Sequence, residues 1–118
     1  MGGNSENYGK EQEHLNQVFG ARLLITGLHA KSGFGVEFLD YIAPPGGRPY
    51  PADSEPDDLW HWHTSIQVTD VEALYQSALE KNYQFISSGV VEMNHTDLGI
   101  KKGFLLRGAD GHAMFLYE

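Results

Sequence analysis

The chain contains no cysteine, which excludes disulfides and thiolate metal ligands. Basic residues are scarce: eight Lys and Arg stand against sixteen Asp and Glu, for a net charge of −8. A phosphate backbone needs clustered cations, so nucleic acid is not an expected partner. The acidic balance is read as a contribution to solubility. Long hydrophobic runs are also missing. Arg22–Thr26 holds only three consecutive aliphatic residues, so no membrane span is expected. The opening MGGNSENYGKEQEHL has no hydrophobic core and does not read as a secretory signal; the expected location is the cytoplasm. No Ser–His–Asp spacing, phosphate-binding glycine loop or paired-carboxylate motif is evident.

Proline is absent from all but one stretch. All five prolines fall in Ala43–Leu59, together with four acidic residues. Proline cannot donate to a sheet ladder, so this is a connector rather than a central strand. Connectors of this length wrap the surface and often cover a site.

What is present is 118 residues, enough for one domain with a single core and no metal or disulfide staple. Residues 1–12 are polar and rich in Gly, Asn and Ser, and read as a flexible segment. Glu11–Phe19 predicts a short helix, with Leu15, Val18 and Phe19 along one stripe and Gly20 as the stop. Ala21–Leu28 and Gly33–Ile42 read as strands. In the second, Glu37, Leu39 and Tyr41 share one face, and Phe34, Val36 and Phe38 the other. Edge exposure is the ordinary explanation for a glutamate such as Glu37, because an unpaired buried carboxylate is costly.

The organising stretch is His61–Asp70. Trp62, Thr64, Ile66 and Val68 alternate with His61, His63, Ser65, Gln67 and Thr69, a period of two that predicts a strand with two different environments. The polar side either meets water or lines a polar cavity, and the cavity is the expectation. Asp70 then suits an N-cap. Val71, Leu74, Tyr75, Ala78 and Leu79 recur at helical spacing, predicting an amphipathic helix that ends near Lys81–Asn82. Tyr83–Met93 reads as a strand kinked at Gly89, and Asn94–Lys102 as a loop. Gly103–Arg107 and His112–Glu118 form a hairpin around an Asp-Gly turn. His14, His29, His95 and His112 fall on turns, loops or the terminal helix, facing solvent.

The C-terminal half is thus strand–helix–strand–strand–strand, and the N-terminal half matches only the tail of that pattern, as an internal repeat with its first copy cut short. With HTSIQVTDVEALY, GVEFLDY before the proline-rich linker, and the ADGH turn at Ala109–His112, the chain resembles the vicinal oxygen chelate superfamily of glyoxalase I, bleomycin-resistance proteins and extradiol dioxygenases. The resemblance covers roughly residues 13–118. It implies an α+β fold of βαβββ modules curled around a cavity: a partial first module at 13–43, a linker at 44–60 and a complete module at 61–118.

It also implies a divalent metal, with His63 and Glu37 as ligands and Glu37 as a catalytic base. Gln67, Tyr41, Phe115 and Tyr117 would line the substrate pocket, with Leu39 beside Tyr41. Such an ion acts as a Lewis acid on a small molecule with vicinal oxygens, in lyase, isomerase or dioxygenase chemistry. Two departures stand against this. Phe115 occupies the second module's glutamate position, which favours a metal-free alternative: a non-catalytic, bleomycin-resistance-type protein sequestering a planar molecule. Glu118 lies three residues further on, on the opposite face. The first module's opening strand, helix and second strand have no counterpart, so half of the four-ligand set is missing, and a degenerate fragment is a third reading. His61, two residues before His63, is an auxiliary ligand candidate. The truncated module would expose an apolar face carried by Leu23, Ile25, Phe34, Val36 and Phe38, and this predicts a homodimer.

Overall fold

The structure is a computed structural model describing residues 2–93 and 97–118; His95 lies outside them. The chain divides into two compact units, Met1–Arg48 and Pro49–Glu118, with the boundary inside the proline-rich connector. The described residues form eight strands in two sheets, with two helices, a mixed α+β architecture.

The first unit contains β1 (Gly2–Tyr8), α1 (Lys10–Asn16), β2 (Arg22–His29) and β3 (Gly35–Ala43). The strands lie in the order β1-β2-β3, all antiparallel. The segment expected to be flexible is therefore largely a strand. All seven residues of β1 pair with β2, from Gly2 against Leu28 to Tyr8 against Arg22. Backbone pairing is available to polar residues as well as to apolar ones, and composition does not register it. Glu6 adds an ion pair with Arg22.

Helix α1 carries Glu11 and Glu13 in its first turn, where the helix dipole favours acids, and ends at Gln17 in the left-handed region. It stops before the expected Phe19, and its apolar stripe is not packed: Leu15 is 80% exposed and Phe19 87%. The β2–β3 connection brings the His29 ring across Gly35, where a side chain would collide with it.

The second unit contains β4 (His63–Gln67), α2 (Val71–Glu80), β5 (Gln84–Phe85), β6 (Val91–Glu92), β7 (Lys102–Arg107) and β8 (Ala113–Tyr117). β4 lies parallel to β8, β8 antiparallel to β7, and β5 and β6 both pair with β7. The single strand expected at Tyr83–Met93 is interrupted. Ser87 breaks it by taking over part of the ladder: its hydroxyl accepts from Leu105 N–H at 3.0 Å and donates to Gly89 carbonyl at 3.0 Å.

Helix α2 starts as the sequence predicts. The Asp70 carboxylate accepts from Ala73 N–H at 2.9 Å, and Glu118 accepts from Val71 N–H at 3.1 Å. Glu118 is thus a cap for α2 and a partner of Lys102. Val71 and Ala78 pack with Phe104 and Leu106 of β7 in the core, flanked by Tyr75, Phe85, Met114 and Leu116. Leu74 and Leu79, at the margins of the predicted stripe, stay partly exposed.

The two units share one strand order. β1-β2-β3 corresponds to β5/β6-β7-β8, so the first unit holds the last three strands of a module rather than the last two. The two elements with no counterpart are the opening strand, which in the second unit is β4 alongside β8, and the large helix, which is α2. Among the described residues β3 pairs with β2 alone.

The uncovered apolar set divides between two faces. Leu23 and Ile25 stand opposite Tyr41 and Leu39, whereas Val36 and Phe38 stand opposite Leu28 and Thr26. Pleating sends alternate residues to opposite sides, so these five residues cannot form one patch. Leu23 is fully buried, while Phe34 and Phe38 are exposed.

Candidate functional site

In the first unit, Glu37, Leu39 and Tyr41 share a face of β3, opposite Gly27, Ile25 and Leu23. All three are exposed. The Tyr41 hydroxyl accepts a hydrogen bond from the Asn16 amide at the end of α1, which orients the phenol.

In the second unit the sheet carries α2 on one face and a mixed polar and aromatic set on the other. Pairing registers place that set in rows. His63, Ala113, Arg107 and Gln84 form one row across four strands; Ser65, Phe115 and Leu105 form the next; Gln67, Tyr117 and Gly103 the third. Phe115 and Tyr117 stack with their centroids 5.3 Å apart and an interplanar angle of 24°. The Phe115 ring lies over Gly103, where an added Cβ would come within 2.6 Å of it. Only glycine lets the ring settle there.

The Phe115 and His63 rings meet at a steep angle with their centroids 5.9 Å apart, and the His61 and His63 ring centroids are 6.0 Å apart. His61 itself precedes β4, as does Trp62, whose ring meets His112 edge-on. On β4 the polar face is open: His63, Ser65 and Gln67 are all exposed, whereas Phe115, one strand further in, is buried. The outer strand of this face therefore meets water instead of a closed cavity.

The predicted pocket residues Gln67, Phe115 and Tyr117 do come together, and His63 with them. Glu37 and Tyr41 belong to the other unit. Among the described residues, no three His, Asp or Glu side chains in either unit gather closely enough to hold a metal ion. At the glutamate position of the second unit, the donor that a metal would need is replaced by a phenyl edge packed on the His63 imidazole. Within the second unit, His61 and His63 are therefore the nearest pair of nitrogen donors.

Sequence reading missed Arg107. The residue is 5% exposed; its guanidinium lies 5.0 Å from the Tyr50 ring centre and donates from Nη1 to the Ser54 carbonyl at 3.2 Å. The signal was an arginine in phase with Gly103 and Leu105, on the face that also carries Phe115. It stands beside the Gly108–Gly111 turn, at a strand end where an arginine is ordinarily solvated. Tyr50 and Ser54 come from the connector, and Ser54 is further fixed by the Trp60 indole at 3.2 Å.

No family model matches the sequence, and no curated protein matches it. Solved structures do. A glyoxalase family protein from Bacillus cereus superposes with a TM-score of 0.80 at 14% identity, over 98% of this chain and 74% of that one. The protein designated SMU.1112c superposes with a TM-score of 0.53 at 21% identity, over 98% of this chain and 80% of that one. These likenesses establish a glyoxalase-type fold, which hosts several chemistries. No helix among the described residues is long and apolar enough to cross a membrane.

Proposed function

We propose that this protein binds a small planar molecule on the aromatic and polar face of its second unit, without a metal ion, in the manner of a sequestering protein. The observation that carries this reading is the Phe115–Tyr117 stack, with Phe115 standing where a metal-binding module of this fold carries a glutamate. Tyr117, the half-buried member of the stack, offers a flat face suited to another ring, backed by the buried Phe115. Ser65 and Gln67, paired with Phe115 and Tyr117, offer hydrogen bonds at its edge and supply orientation.

The test is calorimetric titration of planar aromatic compounds in excess chelator. Binding should persist there and be lost on Tyr117→Ala or Phe115→Ala. Binding that disappears on adding chelator would overturn the reading.

A second, metal-dependent reading is favoured by the His61–His63 pair, whose rings lie 6.0 Å apart. In it His63 and Glu37 each serve as a ligand of a divalent ion, and the protein acts on vicinal oxygens. Elemental analysis, and metal titration of wild type against Glu37→Ala, separate the two readings. A cytoplasmic location belongs to the same proposal and is checked by cell fractionation.

We also propose a homodimer. Support comes from β3, which has one strand neighbour among the described residues and carries Phe38, Leu39, Tyr41 and Ile42 exposed. An unpaired edge templates strand addition, and a two-fold axis suits self-complementary pairing. An obligate contact would bury roughly 1,600 Å² or more. Sedimentation equilibrium at micromolar concentration should give the dimer mass; a monomer stable to dilution would refute the assembly.

A further inference from the structure

Arg107 has an environment that its structural contacts do not account for. The residue is 5% exposed, and its Nε and Nη2 have no hydrogen-bond partner and no solvent contact. Arg107 takes part in none of the ion pairs Arg22–Glu6, Lys102–Glu72 and Lys102–Glu118. Among the described residues, its polar and π partners are one carbonyl and one aromatic ring. A buried guanidinium left with two idle donors is costly, and buried charges in folded proteins are paired. Nε and Nη2 also form one of the two edges with which a guanidinium grips a carboxylate through parallel bonds. Nη1 is committed to Ser54 and leaves that edge free.

The place of Arg107 in the sheet bears on what that edge would grip. Arg107 shares a row with Ala113 and His63, and Ala113 is the smallest side chain of its strand on that face. Phe115 pairs with Leu105, which makes it the diagonal neighbour of Arg107, about 7–8 Å away between backbones. A single aromatic ring bearing an acid group spans such a separation.

We propose that Arg107 anchors the anionic group of the bound molecule, and that this molecule is an aromatic carboxylate whose ring lies on the Phe115–Tyr117 stack. The proposal rests on the binding reading above and narrows its ligand class. Tyr50 and Ser54 close over the guanidinium, so the acid reaches it as this part of the connector gives way. The carboxylate then supplies the counter-charge that the protein lacks there.

The experiment uses the full chain and three probes: benzoate, the neutral isostere benzamide, and inorganic phosphate. Binding is read by calorimetry and by the shift in melting temperature. Wild type should bind benzoate about tenfold or more tightly than benzamide, the size expected for a charge-assisted pair. Arg107→Lys keeps the charge but loses the fork, and should bind benzoate more weakly than wild type does. Arg107→Met should bind both ring compounds equally. Without ligand it should melt no lower than wild type, since an apolar side chain replaces an unpaired buried charge.

Equal binding of benzoate and benzamide by wild type, lost on Tyr117→Ala, would overturn the anchor and leave the aromatic site standing. Binding of phosphate with no binding of benzoate would overturn the aromatic acid and show a plain anion site. Benzoate preference unchanged in Arg107→Met, or no benzoate binding at all, would overturn the proposal outright.

Discussion

β3 and β8 close their respective units, and Glu37 and Phe115 each stand third in their strand. The two strands nevertheless live in different environments. β8 lies between β4 and β7, with Met114 and Leu116 packed on the core beneath α2 and Phe115 buried on the other face. β3 has β2 on one side, and nearly every residue along it is exposed, Phe38, Leu39 and Ile42 included. Both strands are rich in apolar residues, although β3 also carries Glu37 and Asp40 and β8 carries no charge. β8 has an opening strand beside it and a covering helix, so burial here depends on neighbours as well as on the strand's own residues. A glutamate is easily held on the open strand, and a phenyl ring on the closed one.

The largest expected effect breaks this contrast at its core. Phe104→Ala should cost about 3–5 kcal/mol, the range for removing a fully buried ring, as read by urea unfolding. Phe38→Ala on β3 should cost roughly 0.5 kcal/mol or less if its face meets water. Comparable losses at both positions would mean that β3 is covered in solution, which would count for the dimer.

Next in size is Phe115→Glu, which places in β8 the residue type that β3 carries. An unpaired carboxylate there should destabilise the second unit by about 3 kcal/mol or more at neutral pH. Acidification that protonates it should restore part of the loss. A variant as stable as wild type at neutral pH would show that this face is wetter than its burial indicates.

Smaller still is the cap of α2. Asp70→Ala should cost about 1 kcal/mol, because the Ala73 N–H loses its acceptor. Helix α1 has no side-chain cap to remove, which sharpens the difference between the helices. An unchanged unfolding midpoint for Asp70→Ala would show that Glu118, bonded to Val71, holds the helix start unaided.

The smallest effect is a pH dependence at Lys102, which reaches Glu72 and Glu118 at 3.4 Å each. Desolvation lowers the proton affinity of its ammonium, but the hydrogen bond to Glu72 and the charge of Glu118 outweigh this and hold it above the ordinary value of 10.5. A raised value means that the folded state holds the proton more tightly. The stabilisation is therefore complete below pH 10.5 and fades as pH rises through the folded value. Lys102→Met should flatten this part of the stability profile, and an unaltered slope would assign the alkaline loss to other groups.

The sequence by itself determined the second unit's helix, hairpin turn and alternating strand, because each rests on local rules. Asp70 before a helical stripe, Asp-Gly between two apolar runs and strict alternation through His63–Gln67 all have short-range causes. It also placed His63 with Gln67 on one face of β4 and Phe115 with Tyr117 on one face of β8, since pleating makes side a matter of parity; the pairing of β4 with β8 brought the two faces together. Only the tertiary structure decided the rest. Pairing of residues 2–8 with β2 uses backbone groups that every residue has, so a polar stretch became a strand without any compositional sign. The break at Ser87 depends on Leu105, eighteen residues away. Arg107 is the plainest case: an arginine at a strand end is ordinarily solvated, and only the return of Tyr50 and Ser54 over it removed the water and left two donors unpaired.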